Sequence, residues 1–181
     1  MTYYYLNSLL KRGILLVTLC FFAAIVFAQE KGGESELKAA FIYNFTKYVD
    51  WDSTDTESYF TIGVIGSTPV TETLNQIAST RTVNNKRIQI RNFNKPEEIN
   101  YCNILFIPHN IPFSLESILN RVGKGVLTIS EESGFAKMGT AFNFVIKNDK
   151  LKFEANLKTI NSQGLKASSQ LLKLATIVDY P

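Results

Sequence analysis

Few side chains in this sequence could do chemistry, and their spacing argues against a reaction centre. The chain has a single histidine, His109, directly after Ile107-Pro108. It could serve as a general base, but a serine–histidine–aspartate arrangement needs a nucleophile on a strand-to-helix elbow, and no such pattern occurs. No pair of histidines or cysteines has metal-ligand spacing. Glu131-Glu132 could form an acid–base pair, yet adjacent residues point apart, so Ser130-Glu131-Glu132-Ser133-Gly134 reads as a solvated loop. Gly63-Val64-Ile65-Gly66-Ser67 hints at a phosphate-cradling turn without completing the dinucleotide or P-loop spacing. Gly123-Lys124-Gly125 precedes a strand rather than a helix. The helix start after Pro69 is a generic place for an anion. Open α/β sheets bind ligands at the carboxyl ends of their strands, here Gly66-Ser67, Pro108-His109 and Ser130-Glu131. The expectation is a binding or regulatory domain with no catalytic residue, no cofactor and no metal.

The elements that position these residues follow from apolar spacing. Leu37, Ala40, Phe41, Phe45 and Tyr48 recur at helical intervals and predict one buried stripe. Asn44 falls inside it, and an amide left unpaired there costs about 1–3 kcal/mol. Phe60 to Gly66 is an almost continuous apolar run, a buried strand, followed by a proline-primed helix from Pro69 to about Ala78. Arg87 to Arg91 alternates, as an edge strand does, and Arg81, Lys86, Arg87 and Arg91 mark one exposed edge. Cys102 to Ile107 and Gly125 to Ser130 read as strands covered on both faces, with a helix over Ser114 to Val122 between them.

Strands alternating with helices predict an α/β fold with a mostly parallel sheet flanked by helices. Thr140 to Lys147 and Lys150 to Asn156 form an antiparallel hairpin about Asn148-Asp149. Its register pairs Lys147 with Lys150, Ile146 with Leu151, Phe144 with Phe153 and Asn143 with Glu154. A closing helix from about Lys166 to Val178 is expected to bury Ala167, Leu171, Leu172, Leu174, Ala175 and Val178.

Residues 1–28 read as an address. Lys11 and Arg12 precede an apolar run from Ile14 to Ala28 that ends in Val26-Phe27-Ala28, the pattern of a secretory signal cleaved before Gln29. Residues 29–35 are a flexible lead-in, and 36–181 form a single domain. The full chain has 19 basic and 16 acidic residues; without Lys11 and Arg12 the balance is nearly even, which excludes a nucleic-acid partner. Cys102 is then the sole cysteine, so no internal disulfide forms, and burial is its expected role.

Two terminal segments are specific enough to be diagnostic: Lys38-Ala39-Ala40-Phe41-Ile42-Tyr43-Asn44-Phe45 with Trp51, and Gly164-Leu165-Lys166-Ala167-Ser168-Ser169-Gln170-Leu171-Leu172. Together with Ile62-Gly63-Val64-Ile65-Gly66, Val126 to Glu131, Asn143-Phe144 and Leu151 to Asn156, the chain resembles the YfiR family of periplasmic regulatory proteins. The resemblance implies a non-enzymatic periplasmic α/β domain. Its implied partner is a membrane-bound signalling protein, either a diguanylate cyclase or the periplasmic domain of a sensor kinase. Restraining a cyclase would lower cyclic di-GMP output and limit biofilm formation. A stand-alone small-molecule-binding or sensory input domain is the alternative, and a small ligand or a homodimer is compatible with either. The positions matching the family pattern are Phe41, Asn44, Phe45, Trp51, Asn143, Asn156, Ser168, Ser169 and Leu172, as architectural or binding residues. Because only Cys102 is kept, control by an internal thiol switch is not expected.

Overall fold

The computed structural model describes residues 33–51 and 57–178. The expected secretory signal over 1–28 and residues 29–32 of the lead-in lie outside the described residues. Helix α1 spans 33–45 and so includes the last residues of that lead-in. Along this segment Ala39, Ile42, Phe45, Thr46 and Val49 are buried, whereas Leu37 and Tyr48 are exposed. The inward face therefore keeps helical spacing but is turned by one residue, roughly 100°, from the predicted stripe. Ile42 and Val49, purely aliphatic and β-branched, take the core side, and the tyrosine hydroxyl stays in solvent. Asn44 consequently lies outside the buried face.

The sheet is built from β2 (Tyr59–Ile65), β4 (Lys86–Phe93), β5 (Ile104–Ile107), β6 (Leu127–Ser130), β7 (Phe142–Lys147) and β8 (Lys150–Ala155). Two-residue strands, β3 (Thr82–Val83) and β10 (Thr176–Ile177), complete it. Its order is β10-β8-β7-β6-β5-β2-β4-β3. β4, β2, β5, β6 and β7 run parallel, and β8 returns antiparallel to β7. Helices α2 (Val70–Thr80) and α3 (Leu115–Leu119) connect the early strands. The α/β class and its finishing hairpin agree with the expectation from sequence. So does the hairpin register, pair for pair. Asn148 and Asp149 both adopt left-handed backbone, at φ 50° and 55°, which gives the tight turn whose twist matches the strands.

The core lies on both faces of the sheet. One side gathers Ile42 and Phe45 of α1 with Phe60, Ile62, Phe106, Phe142, Phe144 and Phe153. The other gathers Ile65, Phe93, Leu105, Ile107, Leu115 and Ile118. Gly63 is required by close approach on this second side, since a Cβ there would meet Phe93 Cε2 at 2.7 Å.

The C-terminal segment departs from the predicted long helix. Helix α4 (Leu157–Ser162), unforeseen in the sequence, ends at Gly164 in left-handed backbone (φ 76°). Lys166–Ala167 then form β9, Ser169–Leu172 make a single helical turn, α5, and Thr176–Ile177 become β10, parallel to β8. Leu174, assigned inward, is 68% exposed. The run Thr176-Ile177-Val178 is β-branched throughout, and such side chains favour a pleated strand over a helix. The two terminal motifs nevertheless meet: β1 (Val49–Asp50) pairs antiparallel with β9, and Ser168 N–H donates to Tyr48 O at 2.8 Å.

Cys102 is buried just before β5. Desolvation pushes its thiol from an ordinary 9.0 up to about 12, against smaller opposing effects of a Gly63 backbone hydrogen bond and the Arg91 charge. The folded state therefore keeps a proton that the unfolded chain gives up first. Stability from this group is complete below about pH 9 and is lost as pH rises toward about 12. Urea titrations across that range should show the decline, and Cys102→Ala should flatten it; an unchanged slope would refute the assignment. At neutral pH the thiol should resist an alkylating reagent until the protein unfolds.

Candidate functional site

The order of the strands reverses at β2, whose neighbours are β4 on one side and β5 on the other. The crevice beyond the carboxyl ends of β2 and β5 is where such sheets bind ligands. Gly66, in left-handed backbone at φ 80°, leaves β2 there, and Pro108-His109 leaves β5. Ser130-Glu131 ends the adjacent strand β6.

The ends of β5 and β6 are occupied by the chain's own charges. Glu131 turns inward and forms an ion pair with Lys38 from α1, their side chains only 9% and 14% exposed. Its second oxygen, Oε1, accepts the His109 main-chain N–H at 2.9 Å. Glu132 also reaches His109, its Oε2 2.5 Å from Nδ1. Both adjacent carboxylates thus contact one residue, and Glu131, contrary to expectation, is not a solvated loop residue. What reverses that expectation is Lys38, which lies far away in sequence and reaches Glu131 only because α1 packs on the sheet. At the other proposed anion site, the helix start after Pro69, Thr68 Oγ1 already accepts the Val70 N–H at 3.3 Å.

Beneath this charged layer lies a polar network inside the sheet. Ser130 Oγ donates to Asn143 Oδ1 at 2.7 Å and sits 2.8 Å from Thr140 Oγ1. Asn143 Nδ2 passes the chain on to Glu154 Oε2 at 3.4 Å. Thr128 Oγ1 accepts the Ala141 N–H at 2.9 Å. Ser130, Thr128, Thr140 and Asn143 are all buried, so this pairing avoids the desolvation penalty of unmade bonds.

Apart from Asn44, the family-motif residues divide into three groups. Phe45 is the hub of an aromatic cluster, with ring centroids 4.7 Å from Phe142, 5.1 Å from Phe153 and 6.0 Å from Phe144. Phe41 and Leu172 lie partly buried at its rim. Trp51 packs edge-on against Phe60 at 5.2 Å and donates from Nε1 to Asn103 O at 3.2 Å. A second group is polar. Asn143 belongs to the network above, and Asn156 caps α4 by accepting the Thr159 N–H at 3.0 Å while donating to Ala136 O at 2.8 Å. In the third, Ser168 caps α5 through the Leu171 N–H at 3.2 Å, and Ser169 is its exposed first residue. Asn44 stands apart, exposed, its Oδ1 accepting from Lys47 Nζ at 3.1 Å.

Reading the sequence missed Lys38 and Glu131 as a site, although Lys38 opens the first diagnostic segment and Glu131 closes the matching run Val126 to Glu131. The available signal was a lysine embedded in the first apolar helix and a glutamate ending a buried strand. Chemically, the arrangement fastens α1 to the strand ends. The His109 ring lies against the Glu132 carboxylate. Among the described residues no group of three or more His, Cys, Asp and Glu side chains could hold a metal ion. No helix among them is long and apolar enough to cross a membrane. A family model described as YfiR/HmsC-like matches residues 35–176. No curated protein matches the chain.

Proposed function

The chain belongs to the YfiR/HmsC-like family, and on that premise we propose that it is a periplasmic regulator that binds and restrains a membrane-anchored signalling protein, a diguanylate cyclase in the first instance. What supports this reading is the family match across almost the whole described domain, joined to strand ends whose charges pair with one another. Restraint follows from differential affinity: the regulator holds its partner in the conformation it binds more tightly. Cyclic di-GMP and biofilm would then rise when the regulator is lost.

Membranes carrying the partner provide the test. Cross-linking followed by affinity recovery should return a cyclase or a sensor kinase, and deletion of the coding region should raise cellular cyclic di-GMP. Recovery of only soluble or outer-membrane proteins, with unchanged cyclic di-GMP, would overturn the proposal.

A further inference from the structure

β4 is the last full-length strand of the sheet, because β3 pairs with only Lys86 and Arg87. Gly66 N–H donates to Phe93 O at 2.8 Å, which turns the Phe93 main chain toward β2. Alternation along the strand then sends the main-chain N–H and C=O of Ile90 and Asn92 outward. Among the described residues no strand pairs with Ile88–Phe93 on that side. The stretch is about 20 Å long at strand rise.

Charge on β4 itself is of one sign, although Glu98 folds back just beyond it to accept the Asn94 N–H at 2.9 Å. Residues 73–96 contain no aspartate or glutamate but include Arg81, Lys86, Arg87, Arg91 and Lys95. Arg87, Gln89 and Arg91 share one face of β4 by alternation. Ile88 and Ile90 share the other, Ile88 buried and Ile90 partly buried against the core beside α2. Arg91 is anchored from both directions, Nε donating to Gln89 Oε1 and Nη1 to Asn100 Oδ1, each at 3.2 Å.

We propose that this edge receives an extended acidic segment of the protein partner, added as a further strand beside β4. Its carboxylates, at alternate positions, face Arg91 directly and Arg87 along the diagonal, since Thr82 of β3 stands beside Arg87, and the apolar side chains between them lie beside Ile90. Main-chain bonds to Ile90 and Asn92 supply affinity, and the arginines, which bind carboxylates through paired donors, select for acid. Cationic side chains on an edge strand also guard against self-pairing, and the experiment separates that role from recognition. The inference rests on reading the chain as a docking protein but is tested without the partner.

The probe is a capped, labelled octapeptide alternating glutamate with valine, titrated into the protein at low salt and followed by anisotropy and by backbone amide shifts. Its lysine-for-glutamate counterpart is the control. The acidic peptide should move the amides of residues 88–93, and the basic one should not. Arg87→Glu with Arg91→Glu should weaken binding at least tenfold, whereas Arg121→Glu, in the turn after α3, should leave it unchanged. Asn92→Pro, which removes one outward donor at an exposed position, should abolish the shifts without lowering the unfolding midpoint. Equal binding of both peptides, or shifts confined to another surface, would overturn the proposal. So would unaltered peptide binding by the charge-reversed protein accompanied by self-association, the mark of edge protection alone. Membrane-partner recovery that survives the charge reversal would remove this edge and leave the regulatory reading intact. Failure to recover any such partner, with peptide binding as expected, would do the opposite.

Discussion

Phe45→Ala is expected to lower stability by about 3–5 kcal/mol, as for other large aromatic residues removed from a core. The ring is only 1% exposed and stands within 6.0 Å, centroid to centroid, of Phe142, Phe144 and Phe153. With Phe41, whose ring lies 6.0 Å from Phe144 and 6.2 Å from Phe153, it seats α1 on the hairpin. Collapse of the site is opposed from several directions by the sheet, so the void remains and its lining loses dispersion contacts. Against a total stability of about 5–15 kcal/mol, such a loss removes a large part of the folded population. Denaturant midpoints should show it, with Phe41→Ala costing less because that ring sits at the cluster's rim. A Phe45→Ala loss below about 1 kcal/mol, a surface-like value, would show that α1 is not seated as described.

Lys38→Met is expected to cost about 3 kcal/mol, near the lower end for breaking a buried ion pair. The loss comes from the Glu131 carboxylate left behind with, among the described residues, the His109 N–H as its remaining donor. Adding Glu131→Gln should recover most of it, because the amide needs no countercharge. This pattern, a costly single change and a mild double one, distinguishes a charge left unpaired from a simple loss of packing. If Lys38→Met and the double variant were equally destabilised, the ion pair would have no special place in holding α1. Amide exchange in α1 gives an independent readout, since the single variant should expose its first turns preferentially.

How much of this was legible beforehand depends on the distance over which each feature is decided. The hairpin was readable to the residue because alternation has a period of two and Asn148-Asp149 fixes the turn, so local rules determine the register. Apolar strands were equally visible, since burial on both faces leaves few polar positions, Thr61, Thr128 and Ser130 among them. The face of α1 was placed one residue away because Leu37 and Tyr48 fit a helical stripe as well as Ile42 and Val49, and only the sheet decides between them. Lys166 to Val178 misled for a similar reason. Its leucines are spaced as in a helix, yet pairing with β8 outweighs that periodicity at Thr176–Ile177. Lys38 and Glu131 were invisible as a unit, because nothing local announces a partner ninety-odd positions away in the chain.

The small antiparallel contact between Val49–Asp50 and Lys166–Ala167 has a kinetic consequence. It joins stretches from near opposite ends of the domain, so ordering it early would require closing almost the entire polymer at once, at high entropic cost. Refolding should complete it among the last steps, and spontaneous breathing should undo it among the first. Under native conditions the Ser168 amide should therefore exchange with deuterium well ahead of those in Ile104–Ile107, a clasp that loosens while the large sheet behind it stays shut.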